Sequence, residues 1–571
     1  MSPYINLALA MDTLVADNFI FDQTLDKTVP DSDRVVFKQK NLTPFIDQAR
    51  GGSEYVSGRV IIDAQGFGNS SEIPDWANAY ITVPEVETLT AQTGVADLAV
   101  SSFNQSYMTA PKNNSLVESL RVEQGGNMIV SESQNLSHLV NFVKHCTTSA
   151  DETAKHGADS LYAPDSVGNW TATPGVLGIA NVANDPLNTD ITGPERVNEG
   201  LLKRQRLAFP LNKVGSNGIL NDAACHLNEE GSYQAVPLGS TKTITYASET
   251  TLSEIHRLRV VRLADLSDYF AKHPLVRGCD YKLTLSLNQG TSTVSWSATT
   301  ASNPFSVLTG ASVSTSLVGG ATCMPSMLCV GPNTIAAKAT ATVGSTTTLT
   351  LKLTSKVDIS SNARQQGIIL WVPSYIPTEE YEAKLLATPQ VYRTPFKITS
   401  SVFTGLTANA PIGLQLFTAI SNPRALIVMP QYAQEAQTQP SQQSPFNPSP
   451  GCTDPTLSLT KVQIRVNSRQ MLPSPQSYSF QQFIENTARI FAVNGGLSSV
   501  SSGNIDFWKF MHNYRYYAYD ISAIDESQRD VPQIISLEAF NNNKVKLDLY
   551  VFCLSEQGAI FDMVKGGVQL N

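Results

Sequence analysis

Seven histidines and seven cysteines are the residues of this 571-residue chain best suited to ligate a metal or act as nucleophiles. His138, His145, His156, His226, His256, His273 and His512 include no pair at i,i+4. His138 and His145 lie seven apart in Leu136–His145, a segment that reads as a helix, so they share one face two turns apart. A metal needs its ligands closer and needs a third. Cys146, Cys225, Cys279, Cys323, Cys329, Cys452 and Cys553 are scattered and odd in number. Cys323 and Cys329 are the nearest pair, without the CxxC spacing and without a nearby histidine, so the thiols read as small buried or loop hydrophobes. The acid pairs Glu379-Glu380 and Asp525-Glu526 are sequence neighbours, whereas glycoside hydrolysis needs two carboxylates facing across a cleft. They read as helix-start and loop acids. GxSxG, HExxH, GxxxxGK and GxGxxG do not occur, and Gly66-Phe67-Gly68 is only a turn-like pair. No residue is assigned to catalysis, to a cofactor or to a metal.

Two basic clusters remain, Lys203-Arg204-Gln205-Arg206 and Arg257, Arg259 and Arg262. They read as solvated faces or inter-subunit ion pairs, with phosphate contact as the alternative. Phe507, Trp508, Phe510, Tyr514, Tyr516, Tyr517 and Tyr519 interleave with basic residues and could mimic a single-strand binding platform. Tyr517 and Tyr519 alternate into Ile521, however, which fits a strand packing its rings into a core or subunit interface.

The elements that position these residues are mostly strands. Arg59–Asp63, Tyr281–Asn288, Thr346–Thr354 and Val462–Val466 carry β-branched or alternating patterns. So does Lys544–Cys553. Gly367–Val372 and Ala425–Met429 are apolar runs expected to stop at Pro373 and Pro430. Helical signals are short. Leu263, Leu266 and Phe270 share one helical face, with His273-Pro274 ending the helix. Thr378–Leu386 opens on an N-cap threonine, and Ser479–Arg489 on a Ser479/Gln482 capping box. Asn69–Asn114 and Thr147–Gly200 show no clear period, and Gln431–Pro455 reads as a Gln/Pro/Ser surface loop.

Length and composition set the scale. Hydrophobic residues make up 42% and charged residues only 16%, with a net charge of −9. That excludes wholesale disorder and argues against a dedicated nucleic-acid-coating protein. Neutral polar side chains cover such a surface, and they cost less to desolvate than charges do when it becomes an interface. No stretch reaches the ~18 apolar residues of a membrane span. The first twelve residues lack a basic region before their apolar run, so a secretory signal is not expected, and the chain is expected to fold in a reducing compartment. Two minimal eight-stranded jelly rolls need roughly 170 residues, leaving roughly 400 for longer strands, arms and insertions.

The order of these segments resembles that of a known family. Leu263–Gln289 ("LADLSDYFAKHPLVRGCDYKLTLSLNQ") resembles the first half of double jelly-roll major capsid proteins of the polinton-like virus and virophage type. Gly367–Tyr375 ("GIILWVPSY") followed by Val391–Ile398 looks like the crossing into a second roll, and Phe507–Phe540 with Lys544–Val568 is similar to its last strands. The likeness covers the later two thirds of the chain. It implies an all-β chain with a few short helices, built as two eight-stranded jelly-roll sandwiches in tandem with long loop insertions. The expected division is an N-terminal arm at 1–15, a first roll at 16–375 and a second at 376–571. It further implies a non-enzymatic major capsid protein, made and assembled inside the host cell and located in the virion. Three copies would form a pseudo-hexameric homotrimer, and trimers would tile an icosahedral shell around double-stranded DNA. Penton and minor or cement proteins would be partners beside the chain itself, with weak contact to packaged DNA at most. A viral fibre or carbohydrate-binding β-sandwich, and a β-rich glycoside hydrolase, are the alternative classes.

Overall fold

The computed structural model describes most of residues 37–149, 248–299, 346–433 and 459–570, with short strands at 233–234, 242–244, 312–317, 327–329 and 335–337. The arm at 1–15, Lys203–Arg206, Asp525-Glu526, Glu380, Cys323, Trp508 and Tyr514 lie outside the described residues, as do nearly all of Thr147–Gly200 and Gln431–Pro455.

Sixteen strands carry the architecture. Eight lie in the first half: β1 (Phe37–Ile46), β2 (Arg59–Ala64), β3 (Tyr80–Thr93), β4 (Val117–Gln124), β5 (Asn127–Glu132), β6 (Thr250–Arg262), β7 (Tyr281–Leu287) and β8 (Ile369–Pro377). Eight lie in the second: β9 (Phe396–Leu406), β10 (Ala410–Ile420), β11 (Pro423–Tyr432), β12 (Leu459–Val466), β13 (Arg469–Gln470), β14 (Tyr517–Asp520), β15 (Gln533–Asn541) and β16 (Leu547–Glu556). In the first half, β1-β8-β3-β6 form one antiparallel sheet and β2-β7-β4-β5 the other. In the second, β9-β16-β11-β14 and β10-β15-β12-β13 repeat the same order. First, eighth, third and sixth strands against second, seventh, fourth and fifth is the jelly-roll order. The chain is therefore a double jelly roll, as its resemblance implies.

Period-two patterning builds both cores. Tyr281, Leu283, Leu285 and Leu287 of β7 are buried while the residues between them are not. Ile535, Leu537 and Ala539 do the same in β15.

Four expectations are corrected. Both apolar runs continue through their prolines, β8 to Pro377 and β11 to Tyr432. Pro373 and Pro430 each lie in a gap on one side of the strand, since β8 pairs there with β3 only at 369–371 and with Ile73–Pro74 only at 374–375, and β11 pairs with β14 only at 425–428. A missing N–H is tolerated at such places. The single helix expected over Leu263–Phe270 is two, α2 (Leu263–Leu266) and α3 (Asp268–Ala271), because Ser267 is extended and its hydroxyl accepts from the Tyr269 N–H to start the second. The 69–114 stretch, read as aperiodic, contains β3, the longest described strand. Its alternation is masked because Ile81 and Val83 face the core while Pro84 and Val86 are buried on the other side.

Two longer helices complete the set, α1 (Leu136–Thr147) and α4 (Phe480–Phe491). Each follows the fifth strand of its roll. The α4 capping box forms as expected: the Ser479 N–H donates to Gln482 Oε1 at 2.9 Å and the Gln482 N–H to Ser479 Oγ at 3.3 Å.

Because neighbours are antiparallel throughout, the connections segregate. In the first roll 47–58, 94–116, 133–249 and 288–368 leave at one end, and 65–79, 125–126 and 263–280 at the other. The long connections thus all leave from the same end of the sandwich. There the upper half of β3 pairs with Thr346–Val357, which pairs with Gly290–Thr299, extending the sheet beyond β8.

Candidate functional site: the seam between the two sandwiches

The chemistry-bearing residues that the sequence singles out do not converge. Among the described residues no group of three or more His, Cys, Asp or Glu side chains could hold a metal, and no helix is long and apolar enough to cross a membrane. His138 and His145 are buried on α1. The His138 ring stacks on Tyr550 at 4.4 Å and His145 lies against Tyr516 at 6.4 Å, so they face the second roll rather than a ligand. Cys146, Cys279 and Cys553 are buried free thiols. Glu379 is exposed at the start of a helical turn in which the Glu382 N–H donates to the Thr378 carbonyl. Tyr517 and Tyr519 of β14 are buried rings, as a core strand requires, Phe510 and Tyr516 are buried outside the strand, and Phe507 is exposed. Arg259, read as part of a solvated face or an inter-subunit ion pair, is instead buried in an ion pair within the chain with Glu85, which also accepts from Ser355 Oγ at 2.9 Å. Arg262 is exposed.

What the fold assembles is a seam. At the end carrying the short connections, the turn after β4, the 263–280 connection and the segments flanking β9 and β16 meet. The Phe396 N–H donates to Asp268 Oδ2 at 2.7 Å, and Lys272 Nζ donates to the Thr394 carbonyl at 3.0 Å while lying 4.4 Å above the Phe396 ring. Arg277 pairs with Glu382 at 2.8 Å. Gln124 holds the C-terminal hairpin with both ends of its amide, donating to the Gly566 carbonyl at 2.5 Å and accepting from the Val568 N–H at 3.1 Å. Gly278 and Gly566 both have positive φ and touch backbone to backbone, so a Cβ on Gly566 would overlap Gly278.

Under that hairpin lies a buried polar chain. Tyr269 Oη is 2.7 Å from Tyr281 Oη, which is 2.8 Å from His273 Nε2. His273 Nδ1 lies 2.7 Å from the Pro274 carbonyl, an obligate acceptor, so the proton is assigned to Nδ1 and Nε2 accepts from Tyr281. Burial holds the His273 imidazole neutral, pulling its pKa down to about 3, with the Pro274 bond opposing. Burial likewise pushes both tyrosines up and Cys279 up to about 12. These groups are neutral and hydrogen-bonded, with Phe561 of the second half packed 4.9 Å from His273. This is cement rather than acid–base machinery.

Along the flank, α1 carries the seam further. Phe142 packs against Phe491 of α4 at 6.0 Å and Tyr516 at 4.9 Å. The Asn504 N–H donates to the His145 carbonyl at 2.8 Å, and its side-chain amide to the Thr148 carbonyl at 3.0 Å. Both rolls therefore stand the same way up, with like ends adjacent. Sequence patterning offers no signal for most of these partners, which lie hundreds of residues apart.

No protein-family model matches the chain, and no curated protein matches it by sequence. Among solved structures it is similar to the major capsid protein of mavirus (10% identity, TM-score 0.45, covering 95% of this chain and 94% of that one). It is also similar to a chain of the Sputnik virophage (11%, 0.42, 94% and 89%) and to the Faustovirus major capsid protein (9%, 0.42, 96% and 99%). At such values these are likenesses of shape, and the strand order stands without them.

Proposed function

We propose that this chain is a major capsid protein with a structural, non-enzymatic role in the virion. Three copies form a homotrimer that presents six sandwiches around a threefold axis, and trimers tile an icosahedral shell around double-stranded DNA. The observation that carries this reading is the pairing, in one chain, of two complete sandwiches of identical strand order, set the same way up and cemented along a seam. Such a rigid double unit, repeated three times, has a near-hexagonal outline, and closed cyclic symmetry is the usual way to complete it. Long connections that leave from one end suit a unit with one elaborated face, and the scarcity of charge suits a flank buried by copies. An interface of this permanent kind buries on the order of 2,000–5,000 Å².

The chain divides into an arm at 1–15 that bridges neighbours, a first roll at 16–375 and a second at 376–571. The gap between β8, which ends at Pro377, and β9, which starts at Phe396, supports a boundary in this region. Penton and cement proteins complete the shell, and assembly occurs inside the host cell. The test is native mass with electron microscopy of purified material. The expected result is a species at three times the 61.8 kDa chain mass that forms hexagonal tiles. A dispersed 61.8 kDa monomer overturns the reading.

A further inference from the structure

Both sides of α1 are buried, and they differ in chemistry. Leu139, Val140 and Cys146 join the hydrophobic core. His138, Asn141 and His145, spaced for another face of the helix, are buried as well. A buried polar face on a helix calls for partners.

Strand register shows what that face lies on. Tyr550 of β16 is in register with Met429 of β11, and Val428 is in register with Tyr517, the first residue of β14. Continuing that register by one residue sets Tyr516 beside Met429. Residues in register point to the same side of a sheet, so Tyr550, Met429 and Tyr516 form one row across three strands. His138 stacks on Tyr550 at one end of the row and His145 lies against Tyr516 at the other. Two strand spacings cover about 9.6 Å, and seven residues of helix rise about 10.5 Å. Thus α1 crosses the strands, and Asn141, between the two histidines, comes down over β11.

The residues of β11 on that side are Ile427, Met429 and Gln431, and all three are buried. Asn141 is 2% exposed and Gln431 1%. Among the described residues neither Oδ1 nor Nδ2 of Asn141 has a hydrogen-bond partner, and neither does Oε1 or Nε2 of Gln431. Gln431 is one side-chain repeat, about 7 Å, along the strand from Met429, too far for a direct bond from a residue centred on Met429 but within reach of a bridged one. Both groups are neutral and each offers donors and an acceptor. Asp548, in register with Gln431, already accepts from the Gly405 N–H at 2.8 Å.

We infer that a water molecule is bound between Asn141 and Gln431, inside the contact of α1 with the second roll. It accepts from one amide N–H and donates to the amide oxygens, so that each buried side chain gains a partner from a ligand with matching capacity. The flank of the seam is then a hydrated joint, two ring stacks around a water bridge, whereas its base is held by direct bonds such as Gln124 to Gly566. The assignment is independent of the capsid reading, since it concerns a contact within one chain.

The test is a map of the full chain at a resolution that shows ordered water, together with a double-mutant cycle in denaturant unfolding. The map should show a peak at hydrogen-bonding distance, about 2.7–3.2 Å, from both side chains. A map without that peak, or with the two amides bonded to each other or to other protein groups, overturns the inference. Asn141→Leu and Gln431→Met change shape little, but each leaves the other amide without its bridge. Each should therefore raise the unfolding equilibrium constant about tenfold, and the pair together by clearly less than the product. Effects that simply multiply overturn the shared bridge. Should either variant fail to fold, the wild-type map alone decides.

Discussion

Arg259 and Glu85 show how one pair of side chains can dominate local stability. Both are about 4% exposed, and they close the first core where the sheet leaves the sandwich. Arg259→Met should cost about 3–5 kcal/mol in denaturant unfolding, because it strands a buried carboxylate, and adding Glu85→Leu should recover much of that loss. His273 makes a pH-dependent prediction. Its folded pKa of about 3 lies below the ordinary 6.5, so between these values the unfolded chain binds a proton that the folded chain refuses. Stability should therefore fall as pH drops from about 6.5 towards 3. His273→Gln, which cannot titrate, should flatten that slope in melting curves taken across the range. Neither role is legible in the sequence. Arg259 sits in an ordinary charged alternation and His273 in an ordinary His-Pro helix stop, and only strand register and roll packing bury them.

At the scale of elements, the capping box at Ser479 was readable because it is local, needing only residues three apart. Ser479→Ala should cost about 1 kcal/mol of stability, measured by thermal or chemical unfolding. The C-terminal hairpin is the opposite case. Gly566 has φ +70° and no space for a Cβ against Gly278, so Gly566→Ala should destabilise the chain by more than about 1 kcal/mol and loosen the hairpin from Gln124. Hydrogen exchange at the Val568 N–H checks the second effect. Strands with one polar face, such as β7 and β15, are legible from alternation. β3 is not, because both of its faces are partly buried, and neither are the strands that continue through Pro373 and Pro430, because how far each neighbouring strand extends is a tertiary fact.

At the scale of the molecule, the proposed trimer sets the consequence of the seam. If the double unit is rigid, variants that loosen it, Gly566→Ala among them, should lower the yield of trimer along with stability. The sequence by itself determined the class: period-two strands, few and short helices, low charge, no catalytic spacing, and a segment order resembling double jelly-roll capsid proteins. These are properties of neighbours along the chain, which short-range patterning records. Only the tertiary structure decided that both halves share one strand order and that their like ends adjoin. Those facts depend on contacts across hundreds of residues, such as Gln124 with Gly566 and His138 with Tyr550, where nothing in the local sequence marks the partner.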